Sequence, residues 1–343
     1  MKKRVVYFDW LNAMACFAVV VMHVNSRFWG FSNDLRWGWS LLIESLAYPA
    51  VGIFLMITGA TLIDYRERYS TLVYAQKRIT RVVLPYVAWS LMAIVFHILK
   101  GQLTWADVTL TNVLTWLLNG SYYSVYWFFA PLFACYAAIP VLGAVEKDRR
   151  VKLFAYMALL SFVTLCVMPM VSRWTGIAWN EELNTAVSAG YLIYPLLGYV
   201  LTRVEIPRKW RVCAYLLGAG GMILRMVMTW KLSARIGYVD YAYGTYLNFP
   251  CVLQTIAVFL FFRHFRFSHE KANRIVRRLS AASFTVYLSH KFVMDVLDRF
   301  SVEPAFIADT WLHPVLWPFA VYLICILLYV LGRKIPVVKH LFP

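Results

Sequence analysis

Apolar runs of roughly 18 to 22 residues, long enough to cross a hydrocarbon core of ~30 Å, recur along the chain and are separated by short polar segments. They lie at 8–26, 41–63, 79–99, 122–145, 153–172, 186–202, 212–232, 247–262, 279–297 and 313–332. The pattern predicts an all-α polytopic membrane protein with about ten transmembrane helices. No polar interruption is long enough to fold separately, so 1–343 is read as a single transmembrane domain. Two interruptions, 100–121 and 300–312, are semi-apolar and contain Trp105, Trp116, Phe306 and Trp311, which suits segments lying in the outer interface as a partial lid. Trp29, Trp37 and Trp39 read as an aromatic belt at the same boundary. The chain carries no internal repeat of the kind that points to alternating access.

Three polar residues interrupt the first apolar run: Asp9, Asn12 and His23. Eleven residues return a helix to within about 20° of its starting direction, so Asn12 and His23 share a face, with Asp9 about 40° off that line. The first span therefore carries a polar stripe that places His23 about 16 Å beyond Asn12, as one wall of a conduit would. Ionisable side chains inside a bilayer usually mark chemistry or transport. The plainer alternative is that His23 bonds a neighbouring helix.

Composition agrees with the hydropathy pattern: 61% of the 343 residues are hydrophobic and 15% charged, with a mean hydropathy of +0.61. The net charge of +17 raises nucleic acid as a partner, but the placement of the basic residues argues against it. Of 34 Lys and Arg, 25 fall in segments on the side of the N-terminus. That is the positive-inside asymmetry of a multi-pass protein of the cell membrane with cytoplasmic N- and C-termini. The start MKKR, lacking a small-x-small cleavage site, is expected to lead into a retained first span. The six cysteines fall within spans and form no CxxC pair, so packing is expected of them, and neither a disulfide framework nor a metal site.

Further candidates lie on other spans. Arg78 and Arg81, at i and i+3 on the cytoplasmic edge of the third span, suit an anion such as phosphate held between two guanidiniums; topology signalling and lipid contact would explain them equally. Tyr287, His290 and Lys291 share one helical face, with Asp295 four residues past the lysine as its expected partner. Arg225 lies deep in the seventh span, where it either holds a substrate group or pairs with Glu44. Trp127 and Tyr126 read as packing or interface aromatics, with substrate stacking as the other option for Trp127.

Five segments together resemble the acyltransferase-3 family of integral-membrane O-acyltransferases. These are DWLNAMACFAVVVMH (Asp9 to His23), GIFLMITGATLI (Gly52 to Ile63), RITRVVLPY (Arg78 to Tyr86), YWFFAPLFACYAAIPVL (Tyr126 to Leu142) and SAASFTVYLSH (Ser280 to His290). Their order and spacing cover nearly the whole chain. The resemblance implies transfer of an acyl group from cytoplasmic acyl-CoA to a hydroxyl of a cell-surface glycan or similar acceptor, with acetyl-CoA the expected donor and succinyl an option. It also implies that His23 is the essential histidine and that Arg78 and Arg81 serve the donor. The family usually has Arg eleven residues before this histidine; here the position is Asn12.

Proton chemistry points the same way, because a neutral imidazole suits removal of a hydroxyl proton near neutral pH. On this reading the donor threads along Asp9, Asn12 and His23, while Arg225, Glu44, Tyr287, His290, Lys291 and Trp127 are candidates for the acceptor side. His23 acts either as base for direct attack or as a covalent acyl carrier. A transporter or flippase for a glycan or lipid-linked precursor is the main alternative, since a polar bundle interior would serve it equally.

Overall fold

The computed structural model describes residues 4–184, 190–304, 307 and 310–343. Fourteen α-helices account for the fold there: α1 Val6–Val24, α2 Leu35–Ala47, α3 Ala50–Leu62, α4 Thr71–Arg78, α5 Leu84–Leu99, α6 Leu110–Asn119, α7 Phe129–Leu142, α8 Lys147–Ser161, α9 Met168–Thr175, α10 Ile193–Arg203, α11 Arg208–Ile236, α12 Phe249–His264, α13 Glu270–Arg299 and α14 His313–Gly332. Among the described residues there is no strand, and the protein is an all-α polytopic membrane protein.

Each expected apolar run coincides with helix. Seven continuous helical stretches are long and apolar enough to cross a membrane, and α12 is a shorter apolar helix. The run at 186–202 begins outside the described residues and continues as α10, while 300–312 is only partly described. The second expected span is not one helix: it breaks at Tyr48 and Pro49 into α2 and α3. Proline lacks the N–H that a continuous helix would need there.

Two further irregularities share a cause. The chain winds into π-helix at Ile79–Val83 and again at Phe162–Val167, each just upstream of a proline, Pro85 and Pro169. A proline leaves the carbonyl four residues earlier without its helical donor, and a wider turn absorbs the mismatch. The first of these π turns carries Arg81 and directly follows Arg78.

Helix α1 is the axis of the bundle, packed against α2, α3, α12, α13 and α14. Leu11, Ala15, Val19 and Met22 point into the main core with α3, α5, α7, α10, α12 and α13. Cys16, Val20 and Val24 point into a second core against α13 and α14. A helix that is apolar around its whole circumference is what such a central position requires. Close approach elsewhere depends on glycine: a Cβ on Gly59 would lie 2.0 Å from the Pro195 carbonyl oxygen, and one on Gly198 equally near that of Met56, so α3 and α10 touch backbone to backbone.

Five of the cysteines are buried and Cys213 is partly exposed; all six are free thiols. At the end of the bundle that carries the N-terminus, Asp64 accepts from Arg150 Nη1 at 2.7 Å and from Tyr199 Oη at 3.1 Å, and it also pairs with Arg203. Neutralised in this way, the carboxylate and guanidiniums can occupy a crowded helix junction.

Candidate active site

His23 sits in the last turn of α1 and lines a cavity of about 200 Å³ at the end of the bundle away from the N-terminus. Its ring is half-buried and hydrogen-bonds no described residue. The nearest polar ring is His290, 5.1 Å away between centroids. His290 is itself fully buried, and its Nδ1 lies 2.7 Å from the Tyr287 carbonyl oxygen. A carbonyl only accepts, so Nδ1 carries the proton and the unpartnered Nε2 offers a lone pair. His290 thus stands behind His23 with one nitrogen fixed to backbone and the other uncommitted.

The wall opposite is a stacked column. The Arg225 guanidinium lies 3.4 Å over the Tyr48 ring. Tyr48 stacks on Tyr246 at 4.3 Å and 7°, and Tyr246 on Trp127 at 5.2 Å and 21°. The column holds Arg225 in place by cation–π attraction while leaving Nε and Nη1 without hydrogen-bond partners. Glu44, on the same cavity, has Oε2 similarly unpartnered. Exposures of 2% for Arg225 and 3% for Glu44 make these orphaned polar atoms expensive to leave unsatisfied. The two groups face one cavity without forming a direct ion pair, so the pairing expected between them is not what the structure contains.

A second cavity of about 520 Å³ opens nearer the N-terminal end and is lined by Asn12, Arg78, Arg81, Tyr136 and Ser280. The π turn brings Arg78 and Arg81 to it together. The Arg78 guanidinium packs over Tyr136 and Tyr74, 5.4 and 5.8 Å from their ring centres, with Nε buried and unpartnered. Asn12 lines the cavity but is already engaged: its Nδ2 donates to the Ser280 carbonyl at 2.9 Å and to Ser280 Oγ at 3.1 Å. Phe128 and Tyr287 line both cavities and form the partition between them. Tyr287 is fixed there by a hydrogen bond from its hydroxyl to the Val125 carbonyl.

The structure separates two of the expected site residues from His23. Asp9 is held bidentately by Arg4, at 2.6 and 2.8 Å, and lines a third cavity with Asp64, Arg68 and Arg203. Fourteen residues of helix put it about 21 Å from His23, so the polar stripe of α1 does not run unbroken along one conduit. Lys291 turns away to Asp295 at 2.6 Å, the partner expected for it. Asp295 also accepts from Tyr123 at 2.9 Å and lies 3.8 Å from His97, so this cluster braces α13 instead of lining the cavity.

Sequence reasoning missed Phe128, Tyr48, Asp240, Tyr241 and Tyr246. The one available signal was the tyrosine-dense stretch GYVDYAYGTY after α11, since three residues of that kind reach the His23 cavity from it.

These features define the class: a polytopic membrane protein whose candidate chemistry lies inside the helical bundle, at a partition between two cavities. The model of the acyltransferase-3 family, described as an acyltransferase domain, matches residues 5–333. The chain belongs to that family and is a membrane acyltransferase. No curated protein and no solved structure matches it.

Proposed function

We propose that the protein is an acyl-CoA-dependent O-acyltransferase of the cell membrane. In this reading it moves an acyl group, acetyl in the first instance, from the cytoplasm to a hydroxyl of an extracytoplasmic glycan. The observation that carries the reading is the shared partition: Arg78 and Arg81 face one cavity, His23 faces the other, and only Phe128 and Tyr287 stand between.

The donor cavity fits the anionic head of a CoA thioester. Two guanidiniums line it, one with a buried, uncommitted Nε, and Arg recognises phosphate bidentately. When bound, acyl-CoA supplies a thioester carbonyl activated for acyl transfer. On the other side, Glu44 accepts from one acceptor hydroxyl and Arg225 donates to another oxygen, which places the reacting hydroxyl against His23. His23 removes that proton as the hydroxyl oxygen bonds the carbonyl carbon, and returns it to the departing thiolate as the C–S bond breaks. His290 is a positioning residue, limiting the orientations open to the His23 ring. The excess of Lys and Arg on the N-terminal side supports cytoplasmic termini and places the Arg78 cavity toward the cytoplasm.

Purified protein in nanodiscs, given acetyl-CoA and a saccharide acceptor, should release free CoA thiol together with O-acetylated saccharide. Thiol release without acetylated product, or saccharide translocation in proteoliposomes without any acetylation, would contradict the reading and favour transport.

A further inference from the structure

Beside the His23 cavity lies another, of about 480 Å³, with a different character. Arg27, Arg36, Trp39, Trp311 and His313 line it. The Trp39 indole donates to the Trp311 carbonyl at 3.0 Å, and the two ring centres are 6.3 Å apart, so flat aromatic faces frame the opening. His313 is paired with Glu303 at 2.8 Å. Two guanidiniums against one carboxylate leave the lining positive, whereas the His23 cavity sets Arg225 against Glu44 and Asp240.

One buried atom points into the same space. Asn25 is 1% exposed and lines the cavity; its Nδ2 donates to the Ser40 carbonyl at 2.8 Å, but Oδ1 has no partner. An amide oxygen left bare in a polar recess is satisfied by a ligand hydroxyl. Helix α2 joins the two cavities: Arg36 and Ser40 face the positive one, and Glu44, one turn further, faces His23. From Arg36 to Glu44 the helix rises about 12 Å, a distance within reach of a short oligosaccharide.

We propose that the acceptor is bound across both cavities, and that the cavity of Arg27 and Arg36 takes an acidic sugar residue adjoining the one that is acylated. This rests on the acceptor being a glycan, as proposed above. The carboxylate sits against the two guanidiniums, Asn25 accepts from a ring hydroxyl, and the Trp39 and Trp311 faces cover the sugar ring. The acceptor is then an anionic polymer, selected by charge at a site separate from the reacting hydroxyl.

The test is binding in phosphatidylcholine nanodiscs, comparing trigalacturonate with neutral galactotriose, and reading acetyl-CoA binding as a check that each variant is folded. Trigalacturonate should bind at least about tenfold more tightly, because hydrogen bonds to charged groups contribute at that level. Arg27→Gln and Arg36→Gln should each remove most of that preference, and Arg36→Lys should retain part of it. Equal affinity for the two trisaccharides, or a preference that survives both Gln substitutions, would overturn the acidic subsite while leaving a glycan acceptor in place. Tighter binding of short-chain phosphatidylglycerol, lost in Arg36→Gln, would assign the cavity to a lipid headgroup and overturn the proposal. Failure of both trisaccharides to bind protein that still binds acetyl-CoA would overturn the glycan reading itself.

Discussion

The two cavities separated by Phe128 and Tyr287 differ in how they would hold a molecule. The one with Arg78 and Arg81 is wide, at about 520 Å³, with Arg81 on its exposed rim. The one with His23 is narrow, at about 200 Å³, and its polar atoms are buried, orphaned and fixed by a stacked aromatic column. A wide basic mouth suits capture of a large anionic head by charge, whereas a narrow preorganised chamber suits alignment of reacting atoms. Binding strength and chemistry are thereby assigned to different ends of one passage, and substitutions at the two ends should have different kinetic signatures.

The largest effect is expected at His23. His23→Ala should lower acetyl transfer by at least about a hundredfold with acetyl-CoA affinity unchanged, which is the signature of lost proton transfer. Transfer and donor binding falling together would mean that the two ends are not separable. Narrowing the passage comes next. Tyr287→Trp enlarges a side chain in the partition and should reduce kcat about tenfold to a hundredfold through misplacement of the acyl group, while Tyr287→Phe, which loses one hydrogen bond of about 1 kcal/mol, should cost little turnover. If Tyr287→Trp transfers at the normal rate, the acyl group does not pass there.

Arg78→Gln and Arg81→Gln should raise the KM for acetyl-CoA about tenfold each and leave kcat nearly constant, as expected when uniform binding is removed. The smallest change is expected from Asn12→Arg, which adds a cation to the donor cavity at the cost of two hydrogen bonds to Ser280. Acetyl-CoA affinity measured by titration should rise a few-fold, and unchanged or weaker binding would remove Asn12 from the donor path.

Hydropathy made the helical membrane fold legible in the sequence, because apolar runs of bilayer length have few other uses. Helical periodicity was equally reliable over short distances: it placed Lys291 against Asp295 and set Asn12 and His23 on one side of α1. It failed where one helix serves several environments. Asp9 follows the same stripe, yet Arg4 claims it, and a stripe of one helix carries no information about which cavities its neighbours close.

The break at Pro49 and the π turns before Pro85 and Pro169 follow from proline chemistry, but a sequence does not announce whether a proline will kink, end or widen a helix. The column of Arg225, Tyr48, Tyr246 and Trp127 joins residues from four separate parts of the chain, and no local pattern encodes it. His97 is similar: nothing near it in sequence points to Asp295, its neighbour across the bundle.

The most direct test of the central claim, that one passage joins opposite faces of the membrane at His23, is sided transfer in sealed proteoliposomes of known orientation. Radiolabelled acetyl-CoA is confined to the compartment facing Arg78 and a saccharide acceptor to the other. Label should appear on the saccharide with the native protein and be absent with His23→Ala. Transfer only when donor and acceptor share a compartment, or undiminished transfer across the membrane by His23→Ala, would contradict the account.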